Sequence, residues 1–130
     1  MINVVAGIIR NEDNKILIAK RNSNKSQGGL WEFPGGKIEA NETIEEAIIR
    51  EIKEELDMDI LFEGYFDEKK YIYPEKEINL IALNCRIIGD KYTVLEHEKV
   101  EWITIEEFDK FDFAPADVYF VNKLKHKENS

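Results

Sequence analysis

The chain has 130 residues, and 43% of them are hydrophobic, which is enough for one domain with a hydrophobic core. Its 27 acidic and 18 basic residues give a formal net charge of −9, which argues against a binding surface for polymeric nucleic acid or an anionic membrane. The single cysteine, Cys85, excludes an internal disulfide and is typical of a reducing compartment.

The sequence also indicates where the protein acts. No segment has the length and apolar character of a membrane span. The apolar run at 4–9 lacks a basic segment before it and a convincing cleavage site after it, so we expect no secretory signal. We therefore expect one domain over residues 1–130 in the cytoplasm, as a monomer or a homodimer.

Two strands are predicted at the start of the chain. Residues 2–10 and 15–20 are rich in valine and isoleucine, and the polar residues 11–14 between them are typical of a turn, so we predict a β-hairpin. Arg21 ends the second strand, and the polar residues 22–29 predict a loop.

A helix is predicted after a pair of glycines in the middle of the chain. Thr43, with Glu46 three residues later, matches a capping box, and no glycine or proline follows until Gly64. We therefore predict a helix from about Thr43 to about Leu56. Its apolar residues recur at three- and four-residue steps and share one face: Ile44, Ala47, Ile48 and Ile52.

Three glutamates continue this apolar stripe. Glu51, Glu54 and Glu55 lie seven residues after Ile44, Ala47 and Ile48, so the pattern predicts that all three point inward. Arg50 is predicted on the opposite, solvated side. The alternative is a solvated acidic face, which is the usual meaning of an isolated E-x-x-E-E run.

Inward-pointing carboxylates predict a bound cation. Buried, unpaired like charges cost roughly several kcal/mol each, so a counter-charge is needed. Carboxylate oxygens favour Mg²⁺, particularly when substrate phosphates complete the ligand set, and Mn²⁺ is a substitute. Upstream, Gly36 allows close backbone approach and Lys37 adds an ammonium group, which together indicate a phosphate-containing substrate.

The whole constellation resembles the Nudix hydrolase family, whose box is G-x5-E-x7-R-E-U-x-E-E-x-G-U with U aliphatic. The positions that match it in register are Gly36, Glu42, Arg50, Glu51, Ile52, Glu54, Glu55 and Met58. The run L-W-E-F-P-G-G-K at 30–37 resembles the MutT-like branch. One position departs, because Asp57 replaces the family's glycine. Aspartate is one of the few other residues that adopt a left-handed conformation, so this departure concerns how the helix ends.

The resemblance implies a fold and a chemistry. The fold is the Nudix fold of the α/β (α+β) class, a mixed β-sheet between helices with a loop-helix-loop. Mg²⁺ held by Glu51, Glu54 and Glu55, with the backbone at Gly36, is expected to clamp a nucleoside triphosphate, and cleavage releases a nucleoside monophosphate and pyrophosphate. Arg50 is expected to pair with Glu54 or with Glu46 and to orient the acids, while Lys37 and Arg21 offset the phosphate charge.

The second half of the chain reads as strands followed by a helix. Residues 60–73 and 77–88 predict two long strands joined by a turn at 74–76, and residues 100–105 predict another strand. Residues 106–110 predict a helical turn. A final helix is expected to open at 113–117 and to run to about Lys125, with a frayed tail over 123–130.

A loop carboxylate is expected to complete the site. MutT-like enzymes have a glutamate six residues before the tryptophan of the strand at 100–105, and it acts on the metal or the attacking water. Glu96 meets that spacing to Trp102, and Glu98 is its competitor. We expect His97 to be a polar loop residue rather than a base.

Two residues are candidates for contact with the base. Phe33 is either a core aromatic residue or a platform under the base. Asp117 either caps the final helix or reads the base, as an asparagine or aspartate does at this place in MutT-like enzymes. An ionised aspartate only accepts hydrogen bonds, which favours the exocyclic amine of cytosine or adenine. The F-A-P-A-D run at 113–117 also resembles the CTP pyrophosphohydrolase branch.

Several functions fit this resemblance. The expected substrate is a cytosine nucleotide such as CTP or dCTP, or 8-oxo-dGTP, removed from the nucleotide pool. A dinucleoside polyphosphate, a nucleotide sugar and a non-catalytic nucleotide sensor are the alternatives, although sensors usually lose box carboxylates. A structural α/β protein with an acidic face leaves the interrupted apolar stripe unexplained.

Overall fold

The computed structural model describes residues 1–128, and it contains a seven-stranded sheet, two α-helices and one short 3₁₀ helix over that range. The strands are β1 (Ile2–Arg10), β2 (Ile16–Lys20), β3 (Trp31–Glu32), β4 (Gly35–Lys37), β5 (Ile60–Tyr73), β6 (Lys76–Ile87) and β7 (Lys99–Ile103). The helices are α1 (Ile44–Leu56) and α2 (Pro115–Glu128), and the 3₁₀ helix is Ile105–Lys110. Among the described residues, no helix is long and apolar enough to cross a membrane.

The sheet is mixed, as predicted, and β1 lies at its centre. The strand order is β3-β2-β1-β6-β5, with β4 paired to β1 and β7 paired to β2. β1 runs parallel to β6 and antiparallel to β2 and β4. The predicted β1–β2 and β5–β6 hairpins are both present. β3 and β4 were not predicted, because strands of two and three residues are too short to show an alternating pattern.

One helix covers each face of the sheet. The inward side of α1 packs against Val5, Ile9 and Leu17. On the other face, buried residues of α2 share a second core with Ile8 and Ile18. Successive strand residues point to opposite faces, so neighbouring residues of β1 contribute to both cores. This arrangement leaves β4 and the N-terminal end of α2 at one end of the sheet.

The predicted boundaries of α1 are confirmed by its capping interactions. The Thr43 hydroxyl accepts a hydrogen bond from the Glu46 backbone N–H, and the Glu46 carboxylate accepts one from the Thr43 N–H. The helix ends at Asp57, which has φ 47° and ψ 41° in the left-handed region. Asp57 therefore supplies the conformation that glycine provides elsewhere in the family pattern.

The C-terminal helix is longer than predicted. Residues 123–128, expected to be frayed, continue α2 through Glu128. The reason is packing, because Leu124 is buried in the core and Lys125 bonds Asp109 of the 3₁₀ helix. The last two residues of the expected frayed tail, 129 and 130, lie outside the described residues.

The end of α1 gives a test of backbone strain. Asp57→Ala and Asp57→Gly both remove the ion pair between Asp57 and Lys53, but only alanine pays the steric cost of a left-handed residue. The free energy of unfolding of the glycine variant is expected to exceed that of the alanine variant by about 1 kcal/mol. Urea denaturation of the two variants measures this, and equal stabilities would contradict the left-handed helix end.

Candidate active site

A cavity of about 260 Å³ opens at the end of the sheet where β4 and the start of α2 meet. It is lined by six of the residues selected from the sequence: Arg21, Phe33, Gly36, Lys37, Glu55 and Asp117. The remaining four, Arg50, Glu51, Glu54 and Glu96, do not line it. The fold therefore brings residues from four separate segments to one cavity, with the acidic end of α1 beside it.

Arg50 lies at the centre of the acidic cluster, and the prediction of a solvated side chain is wrong. Only 23% of its side chain is exposed. Its Nε and Nη2 donate to the two carboxylate oxygens of Glu42, at 2.5 and 2.9 Å. Its Nη1 donates to Glu51 at 2.8 Å and to Glu54 at 3.2 Å, and its Nη2 also donates to the Lys37 carbonyl at 3.0 Å. Arg50 therefore ties the loop before α1 to the acidic end of the helix.

The ion pair with Arg50 changes the protonation of Glu42. The guanidinium hydrogen bonds, followed by the Glu39 backbone N–H, lower the pKa of Glu42 to about 2. The same contacts raise the pKa of Arg50. Of the two partners expected for Arg50, Glu54 is confirmed. Glu46 is engaged in the capping box instead.

The three helix glutamates do not share one environment. Glu51 and Glu55 are partly buried, whereas 58% of the Glu54 side chain is exposed, so the predicted inward orientation is wrong for Glu54. An α-helix drifts by about 20° per heptad from a seven-residue repeat. A glutamate one heptad after the edge of the buried stripe at Ala47 consequently lies just outside the stripe, within reach of Arg50.

Glu55 is a partly buried carboxylate whose ionisation is disfavoured by its surroundings. Its Oε1 is buried and has no hydrogen-bond partner among the described residues. Burial, followed by the charges of Glu32, Glu51 and Glu96, raises its pKa from an ordinary 4.5 to about 8, although the Gly35 backbone N–H opposes the shift. A carboxylate at this position needs a cation beside it in order to be ionised at neutral pH.

The residues fit a hard divalent cation. Glu55 offers an unpartnered buried oxygen, and a Cβ at Gly36 would overlap the Glu51 carboxylate, so the backbone there lies directly against that acid. Carboxylate and carbonyl oxygens are the ligands that Mg²⁺ prefers. Among the described residues, no three His, Cys, Asp or Glu side chains already converge on one point, since Glu51 and Glu54 are turned to Arg50. The residues that could hold the cation are therefore close together, but their carboxylates do not point at one common position.

Asp117 and Phe33 meet at the inner wall of the cavity. Asp117 is only 5% exposed, and its Oδ1 accepts a hydrogen bond of 3.0 Å from the Phe33 backbone N–H. Burial and the charge of Glu32 raise the pKa of Asp117 well above its ordinary range. The Phe33 ring is buried and packs at 6.2 Å from Phe108 and 5.8 Å from Phe113. Phe33 is thus a core aromatic residue that also lines the cavity.

A second network includes Arg21 and Glu32 of the cavity wall. The Arg21 Nη1 donates to the Glu32 Oε1 at 3.2 Å, and the His97 Nε2 lies 2.9 Å from the Glu32 Oε2. Sequence reasoning missed Glu32 and dismissed His97. The only local signal was the position of Glu32 inside the L-W-E-F-P-G-G-K run, because the contact spans 65 residues.

The two competing loop carboxylates both face solvent. Glu96 lies 3.9 Å from the Lys25 ammonium, and Glu98 lies 3.3 Å from that of Lys20. The charge of Glu96, but not that of Glu98, is among the charges that raise the pKa of Glu55.

Comparison with known proteins gives the family. The NUDIX domain profile matches residues 5–123. The 8-oxo-dGTP diphosphatase of Escherichia coli K12 is 35% identical over 125 residues, covering 95% of this chain and 96% of that protein. The CTP pyrophosphohydrolase of the same organism is 36% identical over 118 residues, covering 91% and 87%. The chain therefore belongs to the Nudix family.

A solved structure shows the resemblance to the MutT-like branch of the family. The crystal structure of the MutT protein from Methanosarcina mazei Go1 matches with a TM-score of 0.84 and 25% sequence identity, over 99% of this chain and 95% of that one. The predicted fold and the resemblance to the MutT-like branch are thus confirmed.

Glu55 gives a test of the buried charge. In metal-free protein, the unfolded chain releases this proton near pH 4.5 while the folded chain retains it to about pH 8. The contribution of Glu55 to the free energy of unfolding is therefore fully retained below pH 4.5 and decreases as the pH rises to 8. Glu55→Gln removes this loss, so its gain in unfolding free energy over wild type should grow by about 3 to 4 kcal/mol between pH 5 and pH 8.

The control for this measurement is Glu45→Gln, an exposed position in the first turn of the same helix. Urea unfolding in the presence of a chelator compares the two variants with wild type at both pH values. A gain from Glu55→Gln that is the same at pH 5 and pH 8 would contradict the raised pKa.

Proposed function

We propose that the protein is a Mg²⁺-dependent nucleoside triphosphate pyrophosphohydrolase of MutT type, acting in the cytoplasm on modified nucleotides of the pool. One observation carries the proposal. A single cavity joins two cations, Arg21 and Lys37, to a strained carboxylate, Glu55, and to a buried polar group, Asp117, at its inner wall. Such a cavity has a place for phosphates, for a metal and for a base.

The metal residues are the helix acids. Glu51, Glu54 and Glu55, with the backbone at Gly36, would hold Mg²⁺, and Glu96 is a further candidate ligand. When bound, the ion supplies Lewis-acid stabilisation of phosphoryl oxygens and lowers the pKa of a water. Binding also relieves the buried charge of Glu55.

The other residues position the substrate and the acids. Arg21 and Lys37 lie at the cavity wall, where they offset charge that develops on the phosphate chain. Arg50 holds Glu51 and Glu54 through hydrogen bonds and so fixes the acidic cluster. Glu96 orients the attacking water or takes its proton. The products are a nucleoside monophosphate and pyrophosphate.

Asp117 and Phe33 are the candidates for base recognition. An ionised Asp117 would only accept hydrogen bonds, which favours cytosine, but its raised pKa favours the protonated carboxyl group. A protonated carboxyl group donates as well as accepts, as an oxidised guanine requires. The burial of Asp117 therefore favours 8-oxo-dGTP over CTP and dCTP, and both substrate types occur in the names of the relatives.

The first test is a comparison of substrates. Pyrophosphate release with Mg²⁺ is measured for 8-oxo-dGTP, dGTP, CTP, dCTP and ATP, and kcat/KM is compared. We expect 8-oxo-dGTP to be cleaved best and Asp117→Ala to reduce its advantage over dGTP. A preference for CTP or dCTP would instead support an ionised Asp117, and turnover of none of them would favour a dinucleoside polyphosphate, a nucleotide sugar or a sensor without turnover.

The second test concerns the acids. Glu54→Gln keeps the size of an exposed side chain and removes its charge, so the fold should be retained while kcat falls by a factor of about 10² or more. Glu45→Gln on the same helix is the matched control and should retain wild-type turnover. Unchanged kcat in Glu54→Gln would remove Glu54 from the metal site.

A further inference from the structure

His97 is a buried histidine in a loop, and one of its ring nitrogens lacks a partner. Only 5% of its side chain is exposed, and its Nε2 lies 2.9 Å from the Glu32 Oε2. Its Nδ1 is buried without a hydrogen-bond partner among the described residues. An unsatisfied buried polar atom costs free energy, so stability of the loop alone does not account for a histidine here.

Glu32 connects this histidine to the cavity. Its Oε2 is the partner of His97, and its Oε1 accepts from the Arg21 Nη1 at 3.2 Å. Glu32 and Arg21 both line the cavity, whereas His97 does not. The Arg21 Nε is held in turn by the Ser26 carbonyl at 2.8 Å, so both ends of the guanidinium are fixed. A displacement of Glu32 would release one of them.

We propose that His97 is a positioning residue, which acts through Glu32 to hold the Arg21 guanidinium toward the phosphate chain of the substrate. An ionised carboxylate only accepts hydrogen bonds, so the Nε2–H of His97 donates to Glu32 and fixes its second oxygen. His97 thus fixes the Glu32 carboxylate, which accepts from the Arg21 Nη1 through Oε1 at 3.2 Å and through Oε2 at 3.4 Å. This inference deepens the proposed function and rests on it, because it assigns a use to Arg21 in triphosphate binding.

Other hydrogen bonds fasten the loop that carries His97 and Glu96. The Glu96 carbonyl accepts from the Asn22 Nδ2 at 2.7 Å, and the Glu98 N–H donates to the Lys20 carbonyl at 2.9 Å. These bonds hold the loop backbone on both sides of His97, independently of its imidazole. Loss of the imidazole should therefore disturb Glu32 and Arg21 while the loop stays in place.

The test is a double-mutant cycle with kinetic readout. His97→Ala is expected to raise KM for the best triphosphate about ten-fold, with a smaller change in kcat, because a misplaced binding group weakens positioning. His97→Gln retains an amide N–H near the position of Nε2 and should recover most of the loss. If His97 acts through Glu32, adding His97→Ala to the Glu32→Gln variant should raise KM little further, because the effects of coupled residues are not additive.

His126→Ala is the matched control, because His126 is exposed on α2. Thermal melts of all variants separate positioning from folding. Additive effects of His97→Ala and Glu32→Gln, or a lowered melting temperature of His97→Ala with unchanged KM, would overturn the inference.

A failure of the proposed function is distinguishable from a failure of this inference. If wild-type protein cleaves no nucleotide, the affinity for a non-hydrolysable nucleoside triphosphate analogue with Mg²⁺ is measured by calorimetry for the same variants. A ten-fold weaker Kd in His97→Ala, restored in His97→Gln, supports the positioning role without turnover. Equal affinities in wild type and His97→Ala would overturn it.

Discussion

The site depends on one electrostatic constraint, the burial of Glu55 among other acids. Its neighbours Glu32, Glu51 and Glu96 all disfavour ionisation, and one of its oxygens has no partner among the described residues. A folded protein tolerates such a group when it is neutral or when a cation lies beside it. The geometry of the helix end therefore supports the proposal of a bound cation independently of the family pattern.

Arg50 explains how several acids can lie so close together. It shares one guanidinium among Glu42, Glu51 and Glu54, and its bidentate pair with Glu42 fixes the loop before α1. Glu55 is left outside this network. Arg50 therefore offsets the charge of Glu51 and Glu54, whereas Glu55 has a buried oxygen without a partner among the described residues.

Local patterns predicted much of the fold. α1 was predictable in full, because its capping box and apolar stripe are contained within its own residues. The β1–β2 and β5–β6 hairpins followed from valine-rich and isoleucine-rich runs separated by turns. The mixed sheet came from the family resemblance, since no local pattern encodes the parallel pairing of β1 with β6, whose paired residues lie 76 positions apart.

The candidate site was predicted as a set of residues, but its internal contacts were not. Glu54 lies outside the inward stripe because a helix drifts against a seven-residue repeat. Arg50 is partly buried because four acids surround it. The pairing of Glu32 with His97 joins β3 to a loop that lies 65 residues further along the chain. Contacts of this kind are decided by packing between distant segments, which a single sequence does not display.

Proton release on metal binding tests the central claim most directly. Mg²⁺ and a non-hydrolysable nucleoside triphosphate analogue are titrated into the protein at pH 7 in a weak buffer, and the released protons are counted after correction for the analogue alone. Ionisation of Glu55 by the incoming cation predicts release of about one proton in wild type and none in Glu55→Gln. Equal release in both proteins would contradict Glu55 as the group whose burial calls for the metal.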